Sequence, residues 1–426
     1  MTYDQALAYI AALEPRGWRL GLDRMQEFAK RANLEQSLGD TTGPQFIHVA
    51  GTNGKGSTTA FLQSMLVESG YRTGAFFSPY VVDPRERVQF GRELIAREDL
   101  AMLTDELKVI AESFSENDFG GITEFEFKTA IGFAYWQLKQ CEWVALEVGL
   151  GGRLDATNVV MPRASIIVSI GMDHMHILGD THSKIAYEKA GIIKPNIPVI
   201  LGDVPIEAEV TIRSIANDLT APVWKWGREI RWHEDVQGVQ TPLGLHRGLK
   251  PGLIGEIQKH NLSLAVAALD VSGAFRDDQS LQRGAIATSI PGRFQLLEVK
   301  GRTVLLDGAH NPDAAEVLSK SLDTQFRGKR CILVTNMLAG HEPSEFFNVL
   351  RGRVSSVHVV PIDFHRATSV DKMVAWLEPR FEKVVGHMTP MEGLLSAVDE
   401  ATPDEVVLVT GSFYLIGELL RSLHDC

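Results

Sequence analysis

Residues 46–59 constrain the fold of this chain more than any other stretch. Phe46-Ile47-His48-Val49-Ala50 is an apolar, β-branched run that leads directly into Gly51-Thr52-Asn53-Gly54-Lys55-Gly56. Ser57-Thr58-Thr59 then opens a segment in which Phe61, Leu62, Met65 and Leu66 fall at helical spacing, and Gly70 ends the pattern. A strand, a glycine-rich turn and a helix in this order form a phosphate-binding loop. Glycines let backbone N–H groups approach phosphate oxygens, and the helix N-terminus adds a positive dipole end. Lys55 supplies a cation, and a hydroxyl can hold Mg²⁺. A glycine-rich turn by itself is usually only a turn; the flanking strand and helix reverse that. The spacing also departs from the common loop, because only Thr52-Asn53 separate Gly51 from Gly54-Lys55, and Gly56 precedes Ser57. The expectation is a protein that uses ATP or GTP, with Thr52, Asn53, Gly54, Lys55, Gly56, Ser57 and Thr58 around the phosphates.

The same alternation of short apolar runs and helical patterns continues. Strands are expected at 46–50, 73–77, 142–148, 164–170 and 197–202, and helices at 57–69, 98–113, 126–139 and 183–191. Residues 1–45 read as amphipathic helices. This order argues for a parallel sheet covered on both faces. Residues 222–256 lose the pattern and read as a small antiparallel addition, followed by a helix over 259–273. Pro291-Gly292-Arg293 reads as a hinge. Beyond it the alternation restarts: strands 303–307, 331–335, 355–361 and 405–410, and helices 312–322, 343–352, 370–378 and 412–423. The chain of 426 residues is too long for one ordinary core. The reading is therefore an α/β protein: a P-loop ATPase domain with a mostly parallel sheet over 1–293, and a smaller, Rossmann-like α/β domain over 294–426. Two such domains suggest a ligand cleft between them.

A net charge of −12 disfavours nonspecific binding to nucleic acid or to an anionic membrane. No apolar run is long enough to span a membrane, and the first residues carry no basic, secretory-type segment. Cys141, Cys331 and Cys426 are far apart with no metal spacing, so they are expected to be reduced thiols of a cytoplasmic protein. No nucleic-acid or membrane partner is expected, and a monomer is.

Three further strand ends carry chemistry. Val144-Ala145-Leu146-Glu147 places a carboxylate before the glycine run Gly149–Gly152, where enzymes with a phosphate loop hold Mg²⁺. Strand 164–170 is followed by Asp173-His174, either of which could complete a second metal position. Strand 303–307 ends in Asp307, with His310 just before a helix that opens at Pro312. A capping turn is the alternative reading there.

Taken together, these motifs resemble the folylpolyglutamate synthase/dihydrofolate synthase family of the Mur ligase superfamily. The resemblance runs through HVAGTNGKGST (48–58), Ser78-Pro79 with Glu86-Arg87, Thr123-x-Phe125-Glu126 and EVGLGGRLDATN (147–158). It continues through DHMHILGDT (173–181), IAYEKAGIIKP (185–195), GRFQ (292–295) and DGAHNP (307–312). It implies an ATP-dependent ligase that activates a carboxylate as an acyl phosphate and then joins it to the amine of L-glutamate. The acceptor would be dihydropteroate, a folate, or both. It implies Ser78 and Glu147 at one Mg²⁺, His174 at a second metal, and Lys189 as a carbamylated lysine. Asn261 and Arg293 would contact ATP. Asp307 and His310 would serve the γ-phosphate and the incoming glutamate. Thr123, Phe125, Asp155 and Ala156 would line the pterin site, with Phe125 stacking.

The sequence departs from the family pattern at Tyr80-Val81, at Ile257 where a histidine is expected, and at Gln295 in place of a glutamate. Two alternatives are kept: a superfamily ligase for a different carboxylate, and a phosphate-loop ATPase with no ligation. Mur enzymes that build peptidoglycan carry a nucleotide-sugar domain before the loop, and about 45 residues precede Phe46, too few for one.

Overall fold

The computed structural model describes all residues except 18, 20, 40–42, 115–118, 340–342 and 425–426. Parts of the helical stretch expected over 1–45, and Cys426, lie outside the described residues. The chain divides into two compact units. The first holds Met1–Pro79, Arg85–Gly252 and Lys259–Thr288; the second holds Tyr80–Pro84, Leu253–Gln258 and Ser289–Cys426. Two short segments expected inside 1–293 therefore cluster with the C-terminal residues. Val81 is buried in the second unit's core, and Arg421 donates to the Val82 carbonyl at 2.8 Å.

The first unit contains β1 (Gln45–Ala50), β2 (Thr73–Phe76), β3 (Val88–Phe90), β4 (Glu93–Leu94), β5 (Trp143–Glu147), β6 (Ala164–Ser169), β7 (Val199–Asp203) and β8 (Val223–Lys225). They form one sheet in the order β4-β3-β2-β5-β1-β6-β7-β8. From β2 to β8 the pairs are parallel, and β3 and β4 add an antiparallel edge. Strands β1, β5 and β6 read as nearly continuous apolar runs because helices cover both faces.

One face packs against α1 (Tyr3–Ala11), α2 (Asp23–Arg31), α4 (Arg97–Glu112) and α5 (Glu124–Leu138), with Phe28, Phe127 and Trp136 in its core. The helix between these in sequence, α3 (Lys55–Glu68), is buried from Gly56 to Leu66. Further along come α6 (Met175–Leu178), α7 (His182–Ala190) and α8 (Ile206–Asp218), and Ile185 and Ile212 share a second core. Strands β9 (Arg231–His233), β10 (Gly238–Gln240) and β11 (Leu245–His246) make the antiparallel addition expected over 222–256, whereas β8 joins the main sheet. Helices α9 (Ile257–Ser272) and α10 (Asp278–Ala287) follow.

The second unit has a sheet of its own, ordered β12-β13-β17-β14-β15-β16. Its strands are β12 (Gln295–Val299), β13 (Arg302–Leu306), β14 (Arg330–Thr335), β15 (Val354–Val359), β16 (Val384–Gly386) and β17 (Glu405–Thr410). Only β12 is antiparallel. Helices α11 (Pro312–Gln325), α12 (Pro343–Leu350), α13 (Val370–Leu377), α14 (Pro390–Glu400) and α15 (Phe413–His424) alternate with the strands, and two apolar clusters make up its core. No described helix is long and apolar enough to cross a membrane.

Candidate active site

The C-terminal ends of β1, β5 and β6 lie side by side, with Val49 in register with Glu147 on one side and Ile166 on the other. From β1 the chain turns through Gly51–Gly54 into α3. Gly54 has φ +84°, a left-handed conformation, and an added Cβ would lie 2.8 Å from both Asn261 Oδ1 and Val168 Cγ1. Only glycine fits there. Strand β6 pins the turn. Thr52 N–H donates to the Ser169 carbonyl at 3.0 Å, and Asn53 N–H donates to Ser169 Oγ at 2.9 Å. Thr52 Oγ1 accepts from Gly171 N–H at 2.9 Å.

These contacts hold the first turn of α3, Lys55-Gly56-Ser57, whose amides have no acceptor within the helix. The Thr58 and Thr59 hydroxyls are buried with no hydrogen-bond partner among the described residues. Desolvated, unused donors at a helix N-terminus fit a phosphate group. The turn and the first turn of α3 thus have the chemistry to take a phosphate group, and Asn261, from α9, packs against Gly54.

Lys55 Nζ folds back to the Gly51 and Thr52 carbonyls at 3.1 and 3.3 Å. Lys189, near the end of α7, donates to the same Gly51 carbonyl at 2.9 Å and is only 4% exposed. Burial, reinforced by the Lys55 charge, pushes its pKa down to about 7, with Asp173 and Asp155 opposing. Burial thus favours the neutral amine, the form that adds to CO₂.

Glu147 ends β5 and is 2% exposed. Its carboxylate accepts from Ser78 N–H at 3.0 Å, and Arg87 donates to Ser78 Oγ at 3.1 Å. His174 has a left-handed φ of 50°, precedes the short α6, and its backbone N–H donates to Asp173 Oδ1 at 2.8 Å. Among the described residues, no three His, Cys, Asp or Glu side chains converge as a metal-binding group. Mg²⁺ usually takes one or two carboxylates and completes its shell with substrate phosphates and water. Glu147 and the Ser78 hydroxyl are a donor set of this kind.

Thr123 caps α5 in a reciprocal box with Glu126. This orients the first turn and puts the Phe125 ring 6.0 Å from Phe76, edge to face, with the Arg87 guanidinium 5.7 Å from both ring centres. The ring lies over Gly149, where a Cβ would fall 2.3 Å from Phe125 Cζ. Asp155 accepts from Leu150 N–H, Thr157 N–H and Thr157 Oγ1. Burial raises its pKa and these bonds oppose the rise. Asp155 therefore shapes the glycine run, and Ala156 is buried in the α5 core beside it. The side-chain oxygens of Thr123 and Asp155 are engaged in these local structures.

In the second unit, Asp307 follows β13 and accepts from Phe294 N–H at 2.9 Å and Ala309 N–H at 3.0 Å. Burial raises its pKa and the Arg293 guanidinium opposes. His310 Nδ1 lies 2.7 Å from the Gly308 carbonyl. A carbonyl only accepts, so Nδ1 carries the proton, and in the neutral ring Nε2 carries the lone pair. Asn311 caps α11, so the capping reading also holds. Phe413 organises the group: Arg293 lies 4.2 Å over its ring, the His310 ring is 5.9 Å away, and a Cβ on Gly308 would meet the ring at 2.0 Å.

Sequence reasoning gave no role to Gly149, Phe413, Arg87 or His260. Arg87 sits in a recognised motif, but Gly149 and Phe413 act through close approach across elements, which has no local signal.

A model of the Mur ligase glutamate ligase domain matches residues 292–413. The dihydrofolate synthase/folylpolyglutamate synthase of Bacillus subtilis is 32% identical over 442 residues, spanning 99% of each chain. Escherichia coli FolC, solved in complex with DHPP and ADP, has a TM-score of 0.89 at 28% identity, covering 100% of this chain and 98% of that one. A bifunctional folylpolyglutamate synthase/dihydrofolate synthase with Mn, AMPPNP and L-glutamate bound has a TM-score of 0.86 at 28% identity over 98% of each chain. With a phosphate loop, a carboxylate one strand away and a relative aligned from end to end, the chain belongs to the folylpolyglutamate synthase/dihydrofolate synthase family.

Proposed function

We propose that this chain is an ATP-dependent ligase that joins L-glutamate to dihydropteroate, a folate, or both, with ADP and phosphate as by-products. The observation that carries this reading is the placing of the Lys55 loop and Glu147 at the ends of two adjacent strands, β1 and β5, with Lys189 of α7 reaching the loop at the Gly51 carbonyl. A carboxylate is a poor electrophile, and phosphorylation gives it a leaving group. Two anions must meet for that step, so the site must supply positive charge. Lys55 and the amides that open α3 would bind the ATP phosphates, with Thr52, Asn53 and Asn261 shaping the loop. Glu147 and Ser78 would hold Mg²⁺, with His174 at a second position; the ion supplies charge neutralisation on the transferring phosphoryl group. Lys189 as a carbamate would be an anionic part of the metal site. Phe125 would stack on the pterin, with Thr123, Asp155 and Ala156 setting the wall behind it.

Residues 1–293 would be the ATP-binding domain and 294–426 the glutamate-ligase domain. Arg293 would contact ATP, and Asp307 would handle the γ-phosphate. His310, with its lone pair on Nε2, would take the proton from the incoming amine. The protein would act as a cytoplasmic monomer on small molecules, with no nucleic-acid or membrane partner.

The site assignment is tested with Lys55→Ala and Glu147→Gln. Each is expected to lower acyl-phosphate formation at least about a hundredfold, as removal of a preorganised charge at a transferring group does. Circular dichroism should be unchanged. Retained turnover in either variant would refute that residue's role.

A further inference from the structure

His260 precedes Asn261 on α9, is 7% exposed, and has no place in the mechanism above. Its ring contacts fix a proton pattern. The Asp203 backbone N–H, at the end of β7, points at His260 Nε2 at 3.1 Å. A backbone N–H can only donate, so Nε2 is the acceptor and carries no proton. In the neutral ring the proton must then sit on Nδ1, which lies 3.4 Å from the Asn261 side-chain oxygen. Burial lowers the His260 pKa, with Asn261 and Asp203 opposing, and the Trp226 ring closes over it edge to face at 5.1 Å. Neutrality and tautomer are thus both set by the surroundings.

An asparagine amide can present either edge, and here the neighbour decides. Nδ1–H donates, and of the two amide edges only the oxygen can accept, so Asn261 Oδ1 turns toward His260. The same oxygen packs at the Gly54 position, 2.8 Å from where a Cβ would be. We propose that His260 is a positioning residue: it locks the Asn261 amide so that its NH₂ edge is the one offered to the bound nucleotide. The proposal rests on the reading that Asn261 contacts ATP. A flipped amide would exchange the edge offered to the nucleotide from donor to acceptor, so the lock acts on nucleotide affinity.

The test has two parts on the full-length protein. Histidine-selective ¹⁵N NMR at pH 7.5, assigned by the signal lost in His260→Phe, should show Nδ1 protonated and Nε2 bare; the other tautomer or an imidazolium would overturn the proposal. Mg-ADP affinity by calorimetry is then measured for His260→Phe, Asn261→Ala and the double variant. Each single variant should bind about tenfold more weakly, the worth of one lost hydrogen bond to a charged group. The double variant should bind no more weakly than Asn261→Ala alone, because His260 acts only through Asn261. His260→Asn, whose amide can donate from the Nδ1 position, should recover most of the affinity. Should His260→Phe fail to fold, His260→Ala takes its place in the cycle. Wild-type affinity in His260→Phe, or multiplying losses in the double variant, would overturn the proposal. Wild-type affinity in Asn261→Ala would overturn it too, while weak binding in Lys55→Ala would leave the ligase reading standing.

Discussion

Gly149→Ala tests the proposed pterin side with a single methyl group. The new Cβ would lie 2.3, 2.6 and 3.0 Å from three ring carbons of Phe125. Carbon atoms settle at about 3.5–4.0 Å, so the ring edge must retreat by more than about 1 Å. It has little room, because Phe76 is fully buried beside it and Arg87 covers both rings. Overpacking of this kind costs about 1–3 kcal/mol, which appears as a lower Tm. A displaced ring also loses its stacking geometry, worth about 0.5–1.5 kcal/mol. At about 1.4 kcal/mol per tenfold, the KM for dihydropteroate should rise about two- to tenfold. Mg-ADP affinity, set by the loop after β1, should hold. Adding Phe125→Leu to Gly149→Ala should restore much of the Tm while leaving the acceptor KM high, which separates strain from recognition. A Gly149→Ala enzyme with wild-type Tm and acceptor KM would refute the assigned packing and the stacking role together.

Two other perturbations have clear signs. His246 bridges Asp278 at 2.8 Å and Asp270 at 3.3 Å; burial opposes its charge, but these two carboxylates outweigh that and raise its pKa above 6.5. Its contribution to stability is therefore complete below pH 6.5 and is lost as pH rises through the raised value. His246→Gln should cost on the order of 2 kcal/mol at pH 6 and less at pH 8; a Tm difference that does not shrink with rising pH would contradict this. Lys189 titrates near pH 7, so at fixed dissolved CO₂ its neutral fraction, and with it carbamate, should grow from pH 6 to pH 8. ¹³C NMR with labelled bicarbonate should show a carbamate signal that Lys189→Arg abolishes, and no such signal at pH 8 with Mg-ADP present would count against the carbamate.

Local signals made much of this molecule legible. The run from Phe46 to Leu66 needs only neighbours in sequence to declare strand, turn and helix, and β1 and α3 are where the pattern puts them. The strands ending at Glu147 and Ser169 read clearly because they are buried on both faces. Strands β3, β4 and β16 are two or three residues long and partly exposed, so neither length nor alternation marks them. The docking of Tyr80–Pro84 with the C-terminal unit is a tertiary choice with no local cue. At the site, residue types and their order were readable, but the His260 tautomer and the Phe125–Gly149 contact depend on elements far apart in sequence. Hydrogen-bond direction and close approach are properties of the assembled sheet ends.

The central claim is tested most directly by product stoichiometry. Purified protein is supplied with Mg-ATP and L-glutamate, with either dihydropteroate or tetrahydrofolate as acceptor, and phosphate and the glutamyl amide are counted together. The account predicts one phosphate per amide formed, with at least one acceptor, and no phosphate release when either acceptor or glutamate is withheld. Steady ATP hydrolysis without an acceptor, or no amide with either one, would contradict it.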